Sequence, residues 1–359
     1  MLKTYELYLV KLYLKKIFII SLIFLCLIFI LSIFDEISFF KKMDVGFFLP
    51  FFLTALNTPA TLFEIFPFIF LISTQFFFLE LIDKNELEAL KIYGLNNFKI
   101  IKILFFTSLT TGIILITFFY YFSSKLQFLY FDLKNGYSSD NKYLAVFTNN
   151  GLWIKDEIDE KIFIINASVI EGYLLKDVTI NEFNNEFNLI QIIKSSEVDI
   201  SNMQWIIFNP FISKNNTNTH SGKNLHINTH FDHKKINRLF KNLTSLNILE
   251  LLNLKKDYKS LGYSTSEIES QLSGLLSFPV YLTLMTLFSS IIMFNIQRNK
   301  PFIFHVILGI FLSVLIYYFY YLFNLLGITG KIPVLASVWL PFFLLTIFIV
   351  IGLVRINEK

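Results

Sequence analysis

The residues able to do chemistry fall into a few small groups. His220, His226, His230 and His233 stand in one polar stretch, and neutral imidazoles are common metal ligands. The spacing lacks the glutamate of a helical zinc motif, and Asn and Thr flank the histidines, so exposed loop histidines are the simpler reading. Glu64 and Glu80 lie in or beside an apolar run, where an ionised carboxylate is costly unless paired or wetted. They are the groups a proton-coupled carrier would use, although Glu80 is close enough to the membrane edge to snorkel and Glu64 to sit at the other boundary. Asp35 and Glu36 close the first apolar run; they read as solvated, and adjacency does not make them an acid-base pair. The one cysteine, Cys26, excludes an intramolecular disulfide and a thiolate metal cluster by counting. A nucleotide-binding loop is absent: Gly330-Lys331 is followed by Ile332, and Leu325 stands where the first glycine belongs. Any ATP-driven step therefore needs a second chain.

The most informative stretch is residues 83–94, DKNELEALKIYG. It reads as a short polar helix with Glu86 near its start, Leu87 and Leu90 on one face, and Gly94 at its end. A solvated connector stabilised by its own charges has this composition. So does a coupling helix, in which Glu86 or Glu88 meets a basic residue of a soluble partner and the two leucines fill a groove.

These groups are positioned by elements that the apolar runs define. The 359 residues are 54% hydrophobic and only 16% charged, with 44 Phe, more apolar surface than soluble cores require. The net charge of +4 is small, and basic residues flank apolar runs instead of alternating with aromatics. That distribution favours membrane flanks over nucleic acid. A span needs about 20 apolar residues to cross about 30 Å of hydrocarbon. Runs near 17–34, 56–82 and 98–122, and again near 275–294, 302–325 and 332–354, meet this requirement. The first run is too long for a signal-peptide core and reads as a retained span. The expected domains are 1–122 and 274–359 in the membrane, with the polar helix 83–94 in the first, and a polar insertion over 123–273.

Within that insertion, 161–167, 178–182, 189–193 and 205–208 read as strands of an antiparallel sandwich or barrel. Residues 209–233 read as loop, and a helical pattern resumes at Leu246. Lys11, Lys15, Lys16, Lys84, Lys91, Lys99 and Arg355 fall on one side of the spans. By the positive-inside bias that side is the cytoplasm, which places both termini there and the insertion in the periplasm.

The run at 59–100, containing LFEIFPFIFLISTQFFFLELIDKNELEALKIYGLNNFKI, resembles the LptF/LptG permeases of the lipopolysaccharide exporter, whose second span ends in an ELxxLxxxG-like cytoplasmic motif. GLWIKDEIDEKIFIINA at 151–167 is similar to the start of their periplasmic domain, and its Gly-Leu-Trp opening favours the LptG type. Pro279, Arg298, Gly309, Gly327, Gly330, Pro333, Ala336, Trp339 and Pro341 fall where family members have theirs. One departure is the lack of a basic residue over 271–276.

The resemblance implies an α-helical polytopic inner-membrane protein, six transmembrane helices arranged 3+3 around an inserted all-β periplasmic jellyroll. It implies a permease that binds no cofactor itself. An LptF-like permease would be its heterodimer partner, an LptB-like ATPase dimer would hold ATP and Mg, and LptC-like and LptA-like proteins would continue the bridge. Carried over by residue, Glu86, Leu87, Ala89, Leu90 and Gly94 become the ATPase-coupling helix. Lys41 and Lys42, just outside the first span, become candidate contacts to lipid phosphates, or else ordinary interfacial anchors. The paralogous LptF type and a self-contained secondary transporter using Glu64 or Glu80 stay open as alternatives. A membrane enzyme lacks a constellation to support it.

Overall fold

Among the described residues, six helices are long and apolar enough to cross a membrane. In lipid a backbone must satisfy its own hydrogen bonds, so uninterrupted apolar runs fold as helices. The computed structural model describes residues 3–41, 43, 45–135, 137, 152–158, 161–214, 217–220, 223–229, 231–233, 236, 242–260, 264–294 and 302–357. The chain divides into two units: Met1–Tyr130, Thr244–Ile248 and Ser266–Lys359 form one, and Phe131–Leu243 with Leu249–Thr265 form the other.

The first unit holds α1 (Thr4–Phe40), α2 (Phe48–Asp83), the short α3 (Glu86–Ile92) and α4 (Asn97–Ile114). A π-helical turn, Leu115–Tyr120, joins α4 to α5 (Tyr121–Asn135). α6 (Ile248–Ser260) belongs to the second unit but for its first residue, and α7 (Ser266–Phe294), α8 (Phe302–Ile328) and α9 (Val334–Asn357) complete the first. The helices overrun the apolar windows. α1 takes in the amphipathic residues before 17, and the third span continues as helix to Asn135 where the apolar run stops at 122. Polar residues extend it because they find partners: Ser123 and Ser124 are buried and bond the carbonyls of Tyr120 and Tyr121.

α2 and α7 are the central helices, with 61% and 67% of their most apolar windows buried, against 11% for α8. Their composition explains the position. Helices that pack on protein instead of lipid tolerate hydroxyls and amides, provided these are bonded. Thr54, Thr58, Thr74, Thr283, Thr286 and Ser290 each donate to a carbonyl one turn back. Ser289 instead donates across to the Leu71 carbonyl at 2.8 Å, joining α7 to α2. Tyr13 of α1 inserts between these two helices, its hydroxyl 3.2 Å from Thr74 Oγ1 and 2.9 Å from Thr286 Oγ1. Both threonines commit their protons to their own helices, so the single Tyr13 proton is shared between their two oxygens. A core of Leu71, Ile101, Tyr281, Met285, Val338 and Phe342 continues the packing. Gly112 lets α4 approach α7: a Cβ there would stand 2.8 Å from Pro279 Cα.

The second unit carries a nine-stranded antiparallel sheet. Its strands are β1 (Leu152–Ile158), β2 (Lys161–Ala167), β3 (Val169–Glu171), β4 (Leu174–Asn184) and β5 (Leu189–Asp199), then β6 (Gln204–Phe208), β7 (Phe211–Lys214), β8 (Thr217–His220) and β9 (Leu225–Asn228). The pairing order is β1-β2-β4-β5-β6-β9, with β3 on β4 and the β7-β8 hairpin on β5. β5 forks: Glu197–Asp199 pair with β6 while Ile192–Lys194 pair with β7. Between the two, Ser195 Oγ donates into the Phe208 carbonyl at 2.5 Å. Inward Ile154, Ile165, Leu175, Ile180, Ile193 and Ile207 are buried at alternate positions, and Trp205 caps them with its indole N–H on the Phe231 carbonyl. The expected loop at 209–233 is corrected here, since three strands lie within it. Their Thr, Asn and His content hides them, because pairing with β5 and β6 supplies what propensity does not.

Candidate functional site

α3 is built by its boundaries. α2 stops at Asp83, and Asn85 takes a left-handed backbone (φ 55°), a conformation Asn tolerates better than most residues. The chain then restarts as a single short helix. Gly94 ends it with φ 84°. The Leu95 N–H bonds the Leu90 carbonyl and the Gly94 N–H bonds that of Lys91, both at 3.0 Å, which is the Schellman arrangement. Leu95, buried, anchors the exit, and Asn96 caps α4 by accepting from the Lys99 N–H at 3.0 Å.

Three contacts tie this segment to the membrane helices. Tyr8 of α1 donates its hydroxyl to Glu86 Oε2 at 2.6 Å. Lys16, also on α1, and Lys84 hold the two oxygens of Glu80 at 2.5 and 2.6 Å. The Lys84 ammonium is pushed above its ordinary range by that hydrogen bond. Lys91 lies over the ring of Phe294, 5.8 Å from its centre, at the end of α7. The segment that includes Glu80, Glu86 and Lys91 is thus fastened to α1 and to central α7.

The candidate residues are placed differently from one another. Leu87 and Leu90 are half-buried, Ala89 and Glu88 are exposed, and Glu86 is occupied by Tyr8. The outermost apolar side chains are Ile92 at 83% and Tyr93 at 85% exposure. Sequence reasoning passed over these two, although their position against the closing glycine marked them as the tip. Lys41 is exposed and caps the end of α1; Lys42 lies outside the described residues, as do His230, Gly151 and Arg298. The α1 helix places Tyr8 and Lys41 near opposite ends of a rod about 55 Å long at 1.5 Å per residue.

The remaining carboxylates separate. Glu80 is ion-paired and therefore has no free charge to relay. Glu36, expected to be solvated, is buried and accepts from the Tyr130 hydroxyl at 2.7 Å. The helical extension past 122 brings Tyr130 there. Glu64 has no hydrogen bond or ion pair among the described residues and lines a cavity of about 250 Å³. No group of three or more His, Cys, Asp or Glu able to hold a metal occurs among the described residues; of the histidines expected to cluster, His233 packs on the ring of Tyr173 at 4.4 Å.

No curated protein matches the chain. The family model of the lipopolysaccharide export system permease LptF/LptG matches residues 7–355. That range takes in all six candidate membrane helices but the first residues of α1 and the last of α9, together with the antiparallel insertion between the third and fourth spans. The chain therefore belongs to the LptF/LptG family, as a multi-pass inner-membrane permease of the lipopolysaccharide export system and a transport subunit, not a catalytic enzyme.

Proposed function

We propose that this chain is the LptG-type permease of its complex, paired with an LptF-like subunit and driven by an LptB-like ATPase dimer that holds the ATP and Mg. The observation that carries this reading is α3, a helix of about two turns with Ile92 and Tyr93 projecting and its base tied to α1 through Glu86–Tyr8 and Glu80–Lys16. An apolar tip fits a groove on a soluble partner. The ties at its base give the tip's motion a route into α1, without which docking would move nothing.

In this arrangement both termini and α3 are cytoplasmic, and the sheet is periplasmic. Lipopolysaccharide leaves the outer leaflet of the inner membrane between the two permeases and passes along a bridge continued by LptC-like and LptA-like proteins. β1 and β9, at the two ends of the pairing order, are the strands suited to edge-to-edge extension. Lys41 and Lys42 meet lipid phosphates at the outer end of α1. The Gly151-Leu152-Trp153 sequence favours LptG over LptF; a gene for the other permease beside this one would decide the pair.

Co-purification with the ATPase tests the docking. Ile92→Asp places a charge on the apolar tip and should reduce the recovered ATPase about tenfold. Glu86→Ala, which removes the tie to Tyr8, should weaken recovery less and lower transport per ATP hydrolysed. Unchanged recovery and ATPase rate in both variants would reject α3 as the coupling element.

A further inference from the structure

The cavity beside Glu64 has a composition that the export reading does not use. Its walls come from α2, the π turn, α5, α7, α8 and α9, all of the first unit. The aromatic side is ordered: Tyr281 and Tyr320 stack at 5.7 Å, and Phe342 packs on them at 5.0 and 5.2 Å. Facing it, Phe63 stacks on Phe278 at 4.3 Å.

Several polar groups on this lining, Gln271, Tyr317, Tyr320 and Tyr321 among them, make no hydrogen bond among the described residues. Tyr120 donates to the Leu246 carbonyl, and Ser270 bonds Asn324, so those groups are used internally. Three further groups are unused and can accept. Glu64 has neither hydrogen bond nor ion pair among the described residues. Gln127 Oε1 is buried without a partner, its Nε2 being directed to Asn57 at 3.4 Å. The Tyr281 hydroxyl is also buried without a partner, in a side chain only 5% exposed. A carboxylate and an amide oxygen can only accept hydrogen bonds, and a phenol can do either. The buried Gln127 and Tyr281 oxygens call for a donor, and the exposed Glu64 carboxylate at the same lining favours a cationic one.

We propose that this cavity binds a primary ammonium group, for which Glu64, Gln127 and Tyr281 on the lining supply the acceptors and the tyrosine wall an aromatic face. Depth in the bilayer is consistent with a headgroup. Glu64 lies about 24 Å along α2 from Glu80 at 1.5 Å per residue, close to the full hydrocarbon thickness of about 30 Å. The ammonium can come from an ethanolamine lipid of the leaflet at that level or from a free amine.

The full-length protein in nanodiscs separates these sources. Native mass spectrometry of discs containing equal phosphatidylethanolamine and phosphatidylglycerol reads lipid retention, and ethanolamine titrated into pure phosphatidylglycerol discs reads a shift in thermal midpoint. Preferential retention of the ethanolamine lipid assigns a lipid headgroup. A midpoint shift without retention assigns a free amine. Either preference should fall about tenfold in Glu64→Gln and severalfold in Tyr281→Phe. Absence of both signals in the unmodified protein overturns the site, as does a Glu64→Gln protein that behaves like it. Should Glu64→Gln fail to fold, undiminished binding by Tyr281→Phe overturns it equally.

Discussion

At the scale of single residues, the membrane unit is organised by hydroxyls that serve two helices. Tyr13 is the clearest case, fully buried and shared between Thr74 and Thr286. Because both threonines retain their bonds within their own helices, Tyr13→Phe leaves nothing unsatisfied and should cost about 1 kcal/mol. The measurement is the thermal midpoint of the detergent-solubilised protein. Tyr8→Phe acts elsewhere, at an exposed bond to Glu86. It should leave the midpoint unchanged and show its effect in lipid moved per ATP in the reconstituted complex. A drop in midpoint without loss of coupling would make Tyr8 a merely structural contact.

At the scale of elements, two glycines fix geometry that no other residue would. Gly94 closes α3 in a left-handed conformation, so Gly94→Val should strain the Schellman turn by about 1–2 kcal/mol and fray the helix. Amide hydrogen exchange over residues 86–95 would register the fraying, and protection equal to that of the unmodified chain would contradict it. Gly112 matters for a different reason. Its missing side chain faces Pro279 backbone at 2.8 Å, which cannot yield as a side-chain tip would. Gly112→Val should push α4 from α7 at a cost of about 1–3 kcal/mol, seen as loss of monodisperse protein on gel filtration. The sheet shows the complementary lesson: β7, β8 and β9 exist because β5 and β6 offer edges, not because their own residues favour strands.

At the scale of the whole molecule, orientation can be read with two cysteines after Cys26→Ser. Tyr93→Cys at the tip of α3 and Phe187→Cys at the exposed β4-β5 turn should label from opposite sides of the inner membrane with an impermeant maleimide. The sheet position should react in cells with a permeabilised outer membrane, and the α3 position only after lysis. Labelling of both from one side would reverse the proposed topology. The sequence by itself determined the six spans, the place of the insertion, the lack of a phosphate-binding loop and the position of α3, because apolar length, motif spacing and helix punctuation are local properties. It marked β2 at 161–167 to the residue, where alternation is strong. Only the tertiary structure decided which carboxylates are used: Glu36 by Tyr130, Glu80 by Lys16 and Lys84, Glu86 by Tyr8, with Glu64 left to a cavity. Glu36, Glu64 and Glu80 stand on apolar helices and Glu86 opens the short polar one. Apart from Lys84, four residues from Glu80, the partners are brought by packing from distant parts of the chain, and no local pattern encodes that.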